Sequence, residues 1–227
     1  MARPVFWRAG AAEEAAPRIA HLDHDRHLVE AARRDPERFE ALYRRYLAPV
    51  YSYAYYELGD HHAAEDATER TFLAALANLH RFDERARPAD GEGASTFKVW
   101  LFRIARNVIA NERRSARRHP AAVLDDATGA IVADPLDVEG DAVRRDEAAA
   151  AWRAVGRLPG DRRRAVVLRF VDELSTAEIA GVLGRSEGAV RVLIHRALRT
   201  VARDLRGRGY RVSVVEDRRV TTGGAHG

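Results

Sequence analysis

The chain has 227 residues, 46% of them hydrophobic and only 7% aromatic, with 16 glycines, 8 prolines and a formal net charge of +4. That apolar share suffices for one good core or two small ones, and it excludes a collagen-like or wholly unfolded chain. The absence of cysteine excludes a disulfide framework and a thiolate metal site. No run of about 18 apolar residues and no secretory pattern is present, so the expectation is a cytoplasmic protein with no membrane insertion.

The apolar mass is mostly Ala, Val and Leu, which favours helices over a β-sandwich. The expected fold class is all-α: two small helical domains joined by a flexible linker. The basic residues are almost all arginine, and Lys98 is the only lysine. Arginine abundance alone is explained by GC-rich coding, so only the placement of the arginines bears on function.

Residues 1–25, rich in Ala, Arg and Glu, are expected to form a disordered leader. A first domain is expected over 26–118. Asp35-Pro36 is a helix start signal, a capping carboxylate followed by proline at the first helical position. Phe39, Leu42, Tyr43 and Tyr46 continue it as one apolar stripe, which Pro49 should kink or break and Gly59 should end. Asp60 should cap the next helix, with the stripe Ala64, Ala67, Thr71, Ala75 and Leu79 and with Phe72 and Leu76 beside it. Residues 83–95 read as a polar loop. Ser95 should cap a long basic helix that buries Phe97, Leu101, Ile104 and Val108, with Trp100 and Ala105 adjoining.

Residues 119–143 lose helical periodicity and gain Pro, Gly and Asp, the mark of a linker. A second domain is expected over 144–206. It starts with a helix over Arg145–Gly156, and Asp161 should cap a second helix running to about Glu173. Ser175-Thr176-Ala177-Glu178 is a capping box that opens a short helix ending at Gly184. Ser186 should cap a last helix running to about Leu205. Residues 207–227 form a tail with a short β-like patch at Arg211–Val215.

The span Ser175–Arg206 carries the strongest signal. A short helix, a turn containing glycine and a longer helix make a helix-turn-helix. Val190, Leu193, Ile194, Ala197, Leu198 and Val201 share one face of the long helix. The other face offers Glu187, Gly188, Arg191, Val192, His195 and Arg199 to base edges in a major groove. Ser186 and the free N–H groups of the first turn suit a phosphate. Arg191 suits a guanine edge, Glu187 a cytosine amine and Val192 a thymine methyl, while Arg196, Arg199 and Arg203 suit phosphates.

At this point the chain resembles a known family. LSTAEIAGVLGRSEGAVRVLIHRALRTV (Leu174–Val201) is similar to domain 4 of sigma factors of the extracytoplasmic-function (ECF) group. The segments Phe39–Leu76 and Phe97–Arg118 resemble domain 2 of that group. The resemblance implies that core RNA polymerase is the partner, through its β′ clamp coiled coil and its β flap. Glu65, Asp66, Glu69, Arg70 and Phe72 would dock on the coiled coil. Trp100, Arg103, Arg106, Asn107, Asn111, Arg113 and Arg114 would face the minus-ten element and its melted single strand. Arg185, Ser186, Glu187, Gly188, Arg191, Val192, His195, Arg196 and Arg199 would read the minus-thirty-five element as duplex. It also implies an anti-sigma partner, no cofactor and promoter opening without ATP.

Each assignment has a plainer alternative. The spacing of Trp100 from Phe97, Leu101 and Ile104 suits burial as well, and Glu65, Asp66 and Glu69 also read as a solvated acidic face. Two other functions compete. A simple helix-turn-helix regulator would bind a palindrome as a dimer without polymerase, but it would need neither the acidic helix nor the basic aromatic one. His61, His62, Glu65 and Asp66 have helical metal-ligand spacing, yet acidic side chains near a helix N-terminus are also favoured by the helix dipole; metal binding is not expected. No phosphate-binding loop, nucleophile elbow or dinucleotide signature occurs, so no enzyme is expected.

Overall fold

The computed structural model describes residues 22–86, 90–118 and 142–210, and among these it forms helices and one isolated antiparallel bridge, Asp23 to Ser95. The helices are α1 (Arg26–Arg34), α2 (Phe39–Leu58), α3 (His61–Asn78), α4 (Phe97–Arg118), α5 (Ala142–Gly156), α6 (Gly160–Phe170), α7 (Thr176–Leu183) and α8 (Glu187–Gly207). Residues 1–21, the interdomain linker from 119 to 141 and the tail patch at Arg211–Val215 lie outside the described residues.

Residues 22–25 belong to the expected leader, yet they are tied to the first domain. The Asp23 carbonyl accepts from the Ser95 N–H at 2.9 Å, and the Tyr46 hydroxyl sits within hydrogen-bond reach of the carboxylates of Asp23 and Asp25. Asp25 is buried and holds Arg45 at 2.9 Å. Its carboxylate is committed there, so α1 begins without a side-chain cap.

The capping logic holds at most helix starts. Asp35 accepts from the Glu37 N–H in a 3₁₀ turn ahead of α2. Asp60 accepts from the Ala63 N–H at 2.7 Å, and Ser95 from the Phe97 N–H at 3.1 Å. Pro49 does not break α2, which runs unbroken from Phe39 to Leu58. An interior proline costs about 3 kcal/mol; burial of Tyr46, Val50 and Tyr53 on the same helix offsets it. Gly59 ends α2 with φ +77°. On α4 the buried stripe is rotated from the expected one: Phe97, Leu101, Phe102, Ala105 and Ile109 are buried, while Ile104 and Val108 are half-exposed.

The second group is α5 to α8. Asp161 does not cap α6, whose N-cap is Pro159. The Asp161 carboxylate instead pairs with Arg164 at 3.1 Å and Arg185 at 2.8 Å. Those contacts hold it below the usual carboxylate range: burial pushes it up, but the Arg185 hydrogen bond and the Arg164 charge outweigh that. Helix α6 ends at Phe170, three residues short of the expected end, because the chain turns there and the Leu174 N–H bonds back to the Leu168 carbonyl at 2.8 Å.

One apolar cluster runs from Leu42, Val50 and Phe97 into Leu168, Ile179 and Val182. A smaller one joins Ala151, Val155, Ala197, Val201 and Leu205 beneath α5 and α8. The two helical groups therefore share a core, with α7 packed on α4.

Candidate nucleic-acid interface

The helix-turn-helix is built by its caps. Ser175 Oγ accepts from the Glu178 N–H at 3.2 Å, and the Glu178 carboxylate accepts from the Ser175 N–H at 2.7 Å. Gly184 ends α7 in the left-handed region at φ +65°, where a side chain would be strained. Ser186 Oγ then accepts from the Ala189 N–H at 3.2 Å and starts α8. Val190, Ala197 and Val201 anchor one face of α8. Arg185, Ser186, Glu187, Gly188, Arg191, Val192, His195, Arg196 and Arg199 are all exposed. Among the described residues Arg191 pairs with Glu187, one helical turn away at 3.1 Å. Val192 is 47% exposed, a large apolar side chain offered to solvent on a polar face.

The basic helix α4 is different. Trp100 is half-buried, its ring 5.2 Å from Phe82 and 5.6 Å from Phe97. Asn107, Asn111 and Arg114 are exposed. Trp100, Asn107 and Asn111 line a cleft of ≈ 430 Å³ together with Asn78 and Arg81. That is one aromatic face, three amides and one guanidinium, a set suited to an unstacked base. Asn78 and Arg81 were not legible as site residues, since they end α3 and the 3₁₀ turn after it and face the cleft only in the fold.

Three other arginines of α4, Arg103, Arg106 and Arg113, are engaged. Arg103 Nε donates to the Gly181 carbonyl at 2.6 Å, and Arg106 Nη1 donates to the Val182 carbonyl at 3.0 Å. Arg113 donates to Glu57 at 2.9 Å. The sequence places all three toward nucleic acid, whereas in the fold they grip protein.

On α3, Glu65, Asp66, Glu69 and Arg70 are exposed and Phe72 is buried. Arg70 is paired with Glu112 of α4. Phe72 contacts Tyr43 edge-on, with centroids 4.8 Å apart. Beside them lies an open groove of ≈ 480 Å³ whose walls include Tyr43, Leu47, Phe72, Leu73 and Leu76, with Glu65 and Glu69 at its edge. Leu73 is 58% exposed. The one sequence trace of this groove was a set of apolar residues off the buried stripe of α3. The His61 Nδ1 lies 2.6 Å from the Tyr51 hydroxyl and its ring stacks on Tyr55. Among the described residues no cluster of three or more His, Asp or Glu is placed to hold a metal ion. No helix among them is long and apolar enough to cross a membrane.

A helix-turn-helix with an open reading face, joined to a helical unit with a basic aromatic helix, defines the class of helix-turn-helix DNA-binding proteins. Comparison with known proteins narrows the class. Residues 42–119 match the family model for sigma-70 region 2, and residues 148–201 match the model for sigma-70, region 4. The ECF RNA polymerase sigma factor BldN of Streptomyces coelicolor is 39% identical over 78% of this chain and 64% of its own length. The ECF RNA polymerase sigma factor SigW of Bacillus subtilis is 30% identical over 78% of this chain and 96% of its own. Among solved structures, CnrH in complex with the cytosolic domain of CnrY superposes with a TM-score of 0.55 at 26% identity, covering 82% of this chain and 99% of that one. The chain belongs to the sigma-70 family of RNA polymerase sigma factors, in its extracytoplasmic-function group. Sigma factors are promoter-directing subunits and not themselves enzymes.

Proposed function

We propose that this chain binds core RNA polymerase in the cytoplasm, reads a promoter at two elements and opens it without ATP, with the residues divided as follows. The exposed row Arg185, Ser186, Glu187, Gly188, Arg191, Val192, His195, Arg196 and Arg199 reads the minus-thirty-five duplex. Trp100, Arg103, Arg106, Asn107, Asn111, Arg113 and Arg114 serve the minus-ten element. Glu65, Asp66, Glu69, Arg70 and Phe72, with the groove beside them, dock on the β′ clamp coiled coil, and the second domain meets the β flap. The single observation that carries this reading is the open face of α8. Seven positions of α8, with its N-cap Ser186 and Arg185 just ahead of it, are presented to solvent while the opposite face is anchored.

Promoter opening needs no ATP in this scheme because the free energy comes from binding. Unstacking a base costs a few kcal/mol, and stacking on an aromatic side chain returns about 1–3 kcal/mol per base. The Trp100–Asn107–Asn111 cleft supplies such a platform. CnrH is seen bound to the cytosolic domain of a second protein, which supports an anti-sigma partner for this chain as well.

Run-off transcription with purified core enzyme on a panel of genomic promoters tests the proposal. The expected result is initiation from a subset of promoters and co-elution of the chain with core on a sizing column. No initiation and no co-elution would refute it.

A further inference from the structure

The turn of the helix-turn-helix carries a guanidinium that is held in place. Arg185 stands between α7 and α8, directly ahead of the N-cap Ser186. Its backbone is fixed, since the Arg185 N–H donates to the Ala180 carbonyl at 3.0 Å. Its side chain is fixed as well: Nη2 donates to Asp161 Oδ2 at 2.8 Å. Asp161 lies in the first turn of α6, and its Oδ1 accepts from Arg164 Nη1 at 3.1 Å. Arg164 in turn reaches across the seam between the two helical groups to Glu57 of α2, 3.4 Å away. The Glu57 side chain is enclosed and Arg164 is mostly buried, whereas Arg185 stands open to solvent at the outer end of this row of charges. The Arg191–Glu187 pair differs, because both its members are exposed on one helix.

One bond to Asp161 leaves Arg185 with further N–H donors, because a guanidinium carries five. Next to it in the chain, Ser186 Oγ takes the Ala189 N–H, while the geometry of a helix start leaves the N–H groups of Glu187 and Gly188 without an intrahelical acceptor. A guanidinium and a helix start both suit phosphate. We propose that Asp161 is a positioning residue for promoter binding: it holds Arg185 at the N-terminal end of α8, so that the guanidinium and the first-turn N–H groups grip one backbone phosphate of the minus-thirty-five duplex. This rests on the proposed assignment of Arg185 and Ser186 to that element. A long side chain ordered before binding loses less freedom on meeting its ligand. The Asp161 carboxylate lies between two guanidiniums, so the three charges together stay positive toward the phosphate.

The test is a cycle of Asp161→Ala, Arg185→Ala and the double variant. Each is assembled with core enzyme and titrated, over a series of salt concentrations, against a labelled promoter duplex that supports run-off transcription. Arg185→Ala is expected to weaken binding about tenfold, equally across base variants of the upstream element, and to flatten the plot of log affinity against log salt by about one. Asp161→Ala is expected to weaken binding at least threefold with the same flattening, and the double variant to bind no worse than Arg185→Ala alone.

Tighter binding or a steeper salt plot for Asp161→Ala would make the carboxylate a mere unfavourable anion near DNA, and overturns the proposal. So does an unchanged affinity, or an equal loss in the wild-type and Arg185→Ala backgrounds, which marks a purely structural residue. Should Asp161→Ala fail to fold, Asp161→Asn keeps the shape of the side chain and repeats the cycle under the same outcomes. A wild-type holoenzyme whose affinity ignores base changes throughout the upstream element overturns the minus-thirty-five reading itself, and this proposal with it.

Discussion

The carboxylate of Glu57, on α2, accepts from Arg163, on α6, through a two-toothed contact of 3.1 Å to Nε and 3.2 Å to Nη2. The same carboxylate takes Arg113 at 2.9 Å and Arg164 at 3.4 Å. The Glu57 side chain is fully enclosed, so one anion organises three guanidiniums from both domains. Paired fork contacts of this kind are among the stronger polar interactions. Removing one partner leaves the others without compensation, which costs about 3–5 kcal/mol when all are buried. The arginines here keep 12–28% exposure, so Glu57→Gln is expected to cost about 2–3 kcal/mol. A urea titration of the full chain, followed by far-ultraviolet circular dichroism, checks this.

Asp172 carries a pH dependence. It is buried at the turn after α6, and among the described residues neither carboxylate oxygen has a hydrogen-bond partner. Burial pushes its carboxyl well above the ordinary range, and the nearby Lys98 charge offsets only part of that. Tyr53, also without a hydroxyl partner, adjoins from α2. The native state therefore keeps a proton that the unfolded chain releases near pH 3.9. Stability from this group falls as pH rises above that value, by about 1.4 kcal/mol per pH unit, until the native carboxyl ionises. Asp172→Asn is expected to remove that slope. The variant should have a higher urea midpoint than wild type at pH 7 and no advantage near pH 3.5.

Arg191 tests base readout. Its partner Glu187 is exposed and one turn away, a contact worth only about 0.3–0.5 kcal/mol, so the guanidinium is available to a guanine. Arg191→Ala is expected to cost about 1–3 kcal/mol at one base pair of the upstream element and to relax specificity there. Binding titrations against single-base operator variants measure this. A uniform loss over all variants would mark Arg191 as a phosphate contact.

The groove beside Phe72 tests polymerase docking. Leu73 is 58% exposed, so a polar replacement removes little buried area. Leu73→Glu is expected to leave the thermal midpoint within about 2 °C of wild type, since surface changes stay within about 0.5 kcal/mol. It should still weaken core binding tenfold or more in a competition assay with labelled wild type.

The sequence made the helix-turn-helix legible because its signals are local. Ser175 with Glu178, Gly184 and Ser186 lie within four residues of the groups they cap. The reading face of α8 follows from helical periodicity alone. The seam was illegible for the opposite reason. Glu57 and Arg163 are 106 residues apart, and Arg106 meets Val182 across 76. No spacing rule links such positions, and an arginine on a basic helix reads as a DNA contact whatever it touches in the fold. Helix α1 was missed because its N-terminal aspartate is spent on Tyr46 and Arg45 instead of on a cap. The rotation of the buried stripe on α4 has a similar origin: Ile104 and Val108 sit at the margin of the cleft that Trp100 and Asn107 line.

The most direct test of the central claim is permanganate footprinting of a cognate promoter, without nucleotides, in the presence of core enzyme and this chain. The expected result is reactive, unpaired thymines around the minus-ten element only when both proteins are present. Thymines that stay protected with both present, or that open only after ATP is added, would contradict the account.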